Sequence, residues 1–176
     1  IPSSKFYQEN FLGTYIVDNS EETNAEQDNS ALDANVLISE IVIQGWEDHP
    51  EGRKLELAAY DSMSIKPGSI VNNQILKQNL DSIYASGWFS GVKFKAEDGN
   101  LGVKLIVKVV PNPILKKIII QPNNTIISQK LVNKIFDENY GLTLNLNELQ
   151  VKINEIKRWY EDQGYSLARI SGPERI

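Results

Sequence analysis

A 77-residue period constrains this chain more than any other feature. Ile118 stands 77 residues after Ile41, Ile120 after Ile43, Tyr165 after Trp88 and Gly164 after Gly87. Recurrence at a fixed spacing means two copies of one supersecondary unit, each too small to be a large domain. The chain has 176 residues, and one ordinary domain takes roughly 100–200, so two small units nearly fill it.

The first copy has the order strand, helix, helix, strand, strand. Val36 to Gly45 is aliphatic and β-branched, which suits a strand covered in part on both faces, and Gly45 ends it. Pro50 to Met63 places Leu55, Ala59 and Met63 on one helical stripe, stopped by Pro67-Gly68. Asn72 or Asn73 caps a second helix whose Leu76, Leu80, Ile83 and Tyr84 share a face, with Gly87 where a left-handed residue closes a helix. Val92 to Ala96 and Val103 to Val109 mostly alternate at period two and are joined across Glu97 to Asn100, a hairpin pattern.

The second copy repeats this order. Leu115 to Gln121 is its strand, Ser128 to Asn139 its first helix with Leu131 and Ile135, and Asn147 to Gln163 its second. Leu149, Ile153, Ile156 and Tyr160 line the buried face of that last helix, Gly164 closes it, and Tyr165 to Ile170 begins a hairpin. Ile176 falls about one strand short of a second full unit, unless residues 1–17 or another chain supply it. The expected fold class is α+β: two tandem β-α-α-β-β units, each a three-stranded sheet with two helices on one face, the second lacking its last strand. Residues 36–110 form the first unit and 114–176 the second.

Residues 1–35 carry seven carboxylates, Glu9, Asp18, Glu21, Glu22, Glu26, Asp28 and Asp33, against Lys5 alone. The chain's net charge of −5 therefore belongs to this stretch, and the remainder is close to neutral. From Asp18 to Asn35 there is too little apolar surface to offset ordering entropy, so residues 1–35 read as an acidic flexible linker. Phe6, Tyr7, Phe11, Leu12, Tyr15, Ile16 and Val17 could pack on something that the sequence does not name. The chain opens on Ile1 with no basic and apolar leader, which suits an excised piece of a longer protein. No apolar run approaches the roughly 18 residues of a membrane helix.

Chemistry-bearing patterns are sparse. The single histidine, His49, lacks metal-site or triad partners. Glu47, Asp48 and Glu51 lack the alternating oxygen ligands and central glycine of a calcium loop, while Asp61 and Asp81 lie on polar helix faces. There is no cysteine, no glycine-rich phosphate loop and no nucleophile elbow. Asn123-Asn-Thr125 matches a glycosylation acceptor, which matters only in a eukaryotic secretory pathway. RNA-binding KH domains also open with β-α-α-β, but the loop Ile65 to Val71 has one glycine and one lysine where they need Gly-x-x-Gly. No basic patch serves nucleic acid. The reading is a non-enzyme without cofactor or metal.

The phrase Leu80-Asp-Ser-Ile-Tyr-Ala-Ser-Gly-Trp-Phe-Ser-Gly-Val92 resembles the signature of polypeptide-transport-associated (POTRA) domains, whose second helix closes on glycine, an aromatic pair and a hydrophobic strand. The tandem copies, the joint Val110-Pro-Asn-Pro113 and the run Trp159 to Ile170 are most similar to outer-membrane β-barrel assembly proteins of cyanobacteria and plastids. The resemblance covers residues 36–170. It implies several periplasmic units ahead of a carboxy-terminal membrane barrel, on the periplasmic side of the bacterial outer membrane or at the plastid outer envelope. It implies as partners unfolded β-barrel precursors, the chain's own barrel and accessory assembly proteins. Secretion transporters, plastid import channels and cell-division proteins carry such units too.

A sheet covered by helices on one face leaves an edge whose N–H and C=O groups can accept an extended peptide in a sequence-tolerant way. The expected edge is Val92, Lys93, Phe94, Lys95 and Ala96, with Val92, Phe94 and Ala96 toward the helices and both lysines toward water. Tyr84, Trp88 and Phe89 would wall a groove beside it, or pack as ordinary core. In the second unit Tyr165, Leu167 and Arg169 mark the corresponding edge. Pro111, Asn112 and Pro113 form a stiff joint, because proline fixes φ and biases its predecessor toward extended geometry.

Overall fold

The computed structural model describes residues 35–119 and 127–164. The acidic stretch 1–34, the Asn123 acceptor pattern and the segment with Tyr165, Leu167 and Arg169 lie outside the described residues. The chain divides into two compact units between Pro111 and Asn112.

In the first unit the order is β1 (Val36–Gln44), α1 (Gly52–Asp61), β2 (Ile70–Val71), α2 (Asn73–Ala85), β3 (Phe89–Gly99) and β4 (Gly102–Pro111). The strands lie in the order β2-β1-β4-β3. β1 and β4 run parallel, while β3 pairs antiparallel with β4 through the expected hairpin and β2 antiparallel with β1. The pattern is the expected β-α-α-β-β, enlarged by β2. That fourth strand is two residues long, Ile70 and Val71 opposite Leu37 and Val36, too short to show a period.

The helices form where the stripes place them. Leu55 and Ala59 are fully buried, and Met63, just past the end of α1, is still core. Asn72 caps α2 by accepting the Ile75 amide at 2.9 Å, worth about 1 kcal/mol. Leu76, Ile83 and Tyr84 of α2 pack onto Val92, Val103, Leu105, Val107 and Val109. Each aliphatic side chain so buried contributes about 1.5–3 kcal/mol.

Two bulges set which side chains reach this core. β1 slips register between Ile38 and Glu40, so Ile38 and Ile41, three apart, both face the helices. β3 slips between Phe89 and Gly91, and Phe89 and Val92 share the core face for the same reason. Gly45 turns the chain away at the end of β1 with φ +101°, so close to β4 that a Cβ would lie 2.0 Å from the Val109 carbonyl oxygen.

Asn79 is 2% exposed in the middle of α2. Its Oδ1 accepts the amides of Ser64 and Ile65 at 2.7 and 3.1 Å, and its Nδ2 donates to the Ile75 carbonyl at 2.8 Å. It thereby fixes the segment that leaves α1.

In the second unit, α3 (Gln129–Phe136) runs into a 3-10 turn at Asp137–Asn139, and α4 spans Leu146–Asp162. Ser128 caps α3 and Asn145 caps α4. The buried residues of α3 are Val132 and Phe136, with the expected Leu131 and Ile135 at the flanks. The core row is shifted by one residue, which two adjacent apolar rows in an eight-residue helix permit. Leu149, Ile153 and Ile156 are buried and Tyr160 packs beside them. The described part of the expected strand, Leu115 to Ile119, does not form one. Ile114 makes a single bridge to Thr143, and Leu115 exchanges backbone hydrogen bonds with Gly141 and Leu142. Its partner is the connection between the helices, so it gains no ladder among the described residues.

Lys152 stands seven residues after its N-cap, as Asn79 does. Its Nζ donates to the Ile135 carbonyl at 2.9 Å, to Glu138 at 2.8 Å and to Asn139 Oδ1. One unit fixes its interhelix segment with an amide and the other with an ammonium.

Candidate functional site

The site is built by the exit from α2. Gly87 adopts φ +83°, with its amide donating to the Tyr84 carbonyl at 3.1 Å, so the chain reverses sharply into Trp88 and Phe89. β3 then runs back against α2, and the Val92 amide donates to the Tyr84 hydroxyl at 2.9 Å.

That bond defines the polarity of the strand. In an antiparallel strand alternate residues turn their N–H and C=O groups to one neighbour and the rest turn theirs outward. Val92 turns outward to Tyr84, so Phe94 and Ala96 also present backbone groups to the outer side, while Lys93, Lys95 and Glu97 bond to β4. Among the described residues β3 is the last strand on this side of the sheet. The outward donors from Phe94 onward are those an added strand would use.

Side chains alternate in the other direction. Val92 is buried, Phe94 and Ala96 pack half-buried against the core, and Lys93 and Lys95 are exposed. Lys95 lies 3.4 Å from Glu97, a surface pairing worth at most about 1 kcal/mol. Charged side chains along an edge discourage pairing between copies of the chain.

Tyr84 and Phe89 are core residues, 4% and 1% exposed, and wall no open groove. Tyr84 fills the space between α2 and β3 and its hydroxyl meets the strand. Of the three aromatics only Trp88 is half-exposed, with the Lys54 ammonium 4.6 Å from its ring centre. Trp46 makes the matching arrangement with Arg53 at 5.0 Å and donates through Nε1 to the Ile43 carbonyl at 2.7 Å. Nothing in the spacing of Trp46 marks it for that role.

The joint residues divide between the units. Pro111 ends β4 opposite Phe89. Asn112 is 4% exposed in the second unit and donates through Nδ2 to the Leu144 carbonyl at 3.0 Å, while the Pro113 carbonyl accepts the Leu144 amide at 2.9 Å. His49 lies in the turn before α1, where its Nδ1 accepts the Glu51 amide at 3.1 Å.

A mixed sheet with a parallel β1/β4 centre, helices on one face and, among the described residues, β3 at its antiparallel end defines a small α+β module. Among solved structures, the chain is 36% identical to the N-terminal domain of Omp85 from Thermosynechococcus elongatus, with a TM-score of 0.70 over 80% of this chain and 57% of that one. It is 32% identical to POTRA1-3 of the periplasmic domain of Omp85 from Anabaena, with a TM-score of 0.71 over 82% of this chain and 58% of that one. It is 34% identical to POTRA1-2 of the periplasmic domain of Omp85 from Anabaena, with a TM-score of 0.67 over 82% of this chain and 89% of that one. Among curated proteins, Outer envelope protein 80, chloroplastic, of Oryza sativa subsp. japonica is 26% identical over 131 residues, covering 73% of this chain and 20% of that protein. The protein of the same name in Arabidopsis thaliana is 25% identical over 131 residues, covering 73% of this chain and 18% of that protein. The chain thus spans about a fifth of the length of these curated relatives. No family model matches it. The chain belongs to the Omp85 POTRA domains of the cyanobacterial and plastid type.

Proposed function

We propose that this chain is a periplasmic POTRA region, at the bacterial outer membrane or the equivalent plastid envelope, that receives unfolded β-barrel precursors by strand addition on β3. In this reading it orients them toward a membrane barrel belonging to the same protein. The observation that carries the reading is the outward backbone of Phe94 and Ala96, which follows from the Tyr84–Val92 bond. Main-chain pairing tolerates many client sequences, and the half-buried Phe94 and Ala96 beneath the edge supply shallow apolar contact. Pro111, Asn112 and Pro113 act as the joint. The role needs no catalytic group or cofactor.

Titration of the ¹⁵N-labelled chain with peptides from barrel carboxy-terminal strands tests the reading. Amide shifts concentrated in residues 91–97, or in 165–170 of the second unit, support it. Shifts confined to helix faces overturn it in favour of a second reading, docking of a folded accessory subunit. That second reading draws on an open groove of about 620 Å³ on the second unit, where exposed Leu142 and Val151 stand among Glu138, Glu148 and Glu155.

A further inference from the structure

The face of the first sheet that carries no helices is patterned in three rows across β1, β4 and β3. Gln44, Lys108 and Lys93 form one row, Val42, Ile106 and Lys95 the next, and Glu40, Lys104 and Glu97 the third. The two carboxylates that these strands place on this face thus flank Lys104. The Lys93–Lys108 row sets like charges directly opposite each other, an arrangement that costs stability. At the centre of the middle row Ile106 is 6% exposed, ringed by Val42, Lys95, Lys104 and Lys108. Lys95 is paired with Glu97 at 3.4 Å, so the end row of Lys93 and Lys108 is the cationic end of the face, beside the apolar Ile106, and the other end balances its own charge.

The same chain holds the complement. Asp18, Glu21, Glu22, Glu26, Asp28 and Asp33 precede β1 with no basic residue among them. We propose that the segment Asp18–Asp33 docks on the cationic end of this face, with its carboxylates over Lys93 and Lys108.

Reach and charge select this occupant. Val36 to Gln44 is eight residue steps, about 26 Å at roughly 3.3 Å per residue. A segment doubling back along β1 needs those eight steps and about two more residues for the reversal, so it comes level with Lys108 near Glu26. Asp28 lies just before it, and Glu22 and Glu21 lie beyond it within reach of Lys93. Each surface pairing is weak alone, but a covalent tether holds the segment at an effective concentration on the order of millimolar. A second copy of the chain, at a net charge of −5, is repelled on approach. The docking does not depend on the adjoining β3 edge receiving clients.

The chain has no cysteine, so Asn24→Cys provides a single attachment point for a nitroxide in the full 176-residue protein. At about 20 mM salt the amide signals of Lys93, Lys95 and Lys108 should lose more than about half their intensity, and about 0.5 M salt should restore them. Lys93→Gln/Lys108→Gln should abolish the loss. Glu21→Gln/Glu22→Gln/Glu26→Gln/Asp28→Asn should do so without touching the sheet, which covers the case of a lysine variant that fails to fold. Three results overturn the proposal: intact signals at low salt, a loss that survives both sets of substitutions, or a loss seen only when labelled chains act on unlabelled ones.

Discussion

The Tyr84 hydroxyl accepts the Val92 amide at 2.9 Å, and this bond occupies an outward donor of β3 just past its bulge. The edge available to another chain therefore begins at Phe94. Tyr84→Phe leaves the buried Val92 amide without that acceptor and should cost about 1–3 kcal/mol in urea unfolding. Hydrogen exchange at Val92 should accelerate more than at Val107 in the sheet centre.

Proline distinguishes the two sides of β3. Ala96→Pro removes an outward donor and leaves the ladder with β4 intact, a position where sheets tolerate proline. It should retain the fold and weaken peptide binding about tenfold, near the 1.4 kcal/mol upper range of a net hydrogen bond. Lys95→Pro removes a ladder bond instead and should cost about 1–3 kcal/mol in thermal or urea unfolding. Equal effects of the two substitutions would refute the strand polarity deduced from Tyr84.

Asn79 holds two amides of the segment leaving α1. Asn79→Ala should destabilise by about 2–3 kcal/mol, chiefly because the buried Ile65 amide loses its acceptor. Asn79→Leu keeps the volume and should recover little of that loss. Urea midpoints at unchanged slope measure both.

Gly45 and Gly68 both have positive φ, but only Gly45 is crowded. Gly45→Ala drives a methyl into the Val109 carbonyl and should cost about 3–5 kcal/mol. Gly68→Ala has open space and should cost only the left-handed backbone penalty, about 1–2 kcal/mol. Chemical denaturation of the two variants side by side separates contact from conformation.

The Lys152 hydrogen bond, and then its charge, hold the Glu138 carboxyl below the usual carboxylate range. A lowered folded pKa stabilises above the unfolded pKa, and the contribution fades as pH falls through the folded value. Carboxyl ¹³C titration should place Glu138 lower in the native chain than in Lys152→Ala, where it returns toward its ordinary value.

Much of this architecture was legible because helices announce themselves locally. Leu55 and Ala59, or Leu149, Ile153 and Ile156, recur at helical spacing, and Gly87 and Gly164 follow each long helix with the positive φ expected of them. The features that shape the site are non-local. The bulges put Ile38 with Ile41 and Phe89 with Val92 on one face, against strict alternation. A polar residue such as Asn79 reads as helix surface until the Ser64–Ile65 segment closes over it. Tyr84 had the right face from its spacing, but its hydroxyl gained meaning only when β3 returned beside α2. The strand β3 itself was readable, since Val92, Phe94 and Ala96 alternate with Lys93 and Lys95.

Amide exchange at Phe94 and Ala96 tests strand addition most directly. With a saturating barrel-strand peptide, both amides should slow by about tenfold or more, while Val92, already bonded to Tyr84, should change little. Unchanged exchange at Phe94 and Ala96, with protection appearing on the exposed faces of α1 and α2 instead, would contradict it.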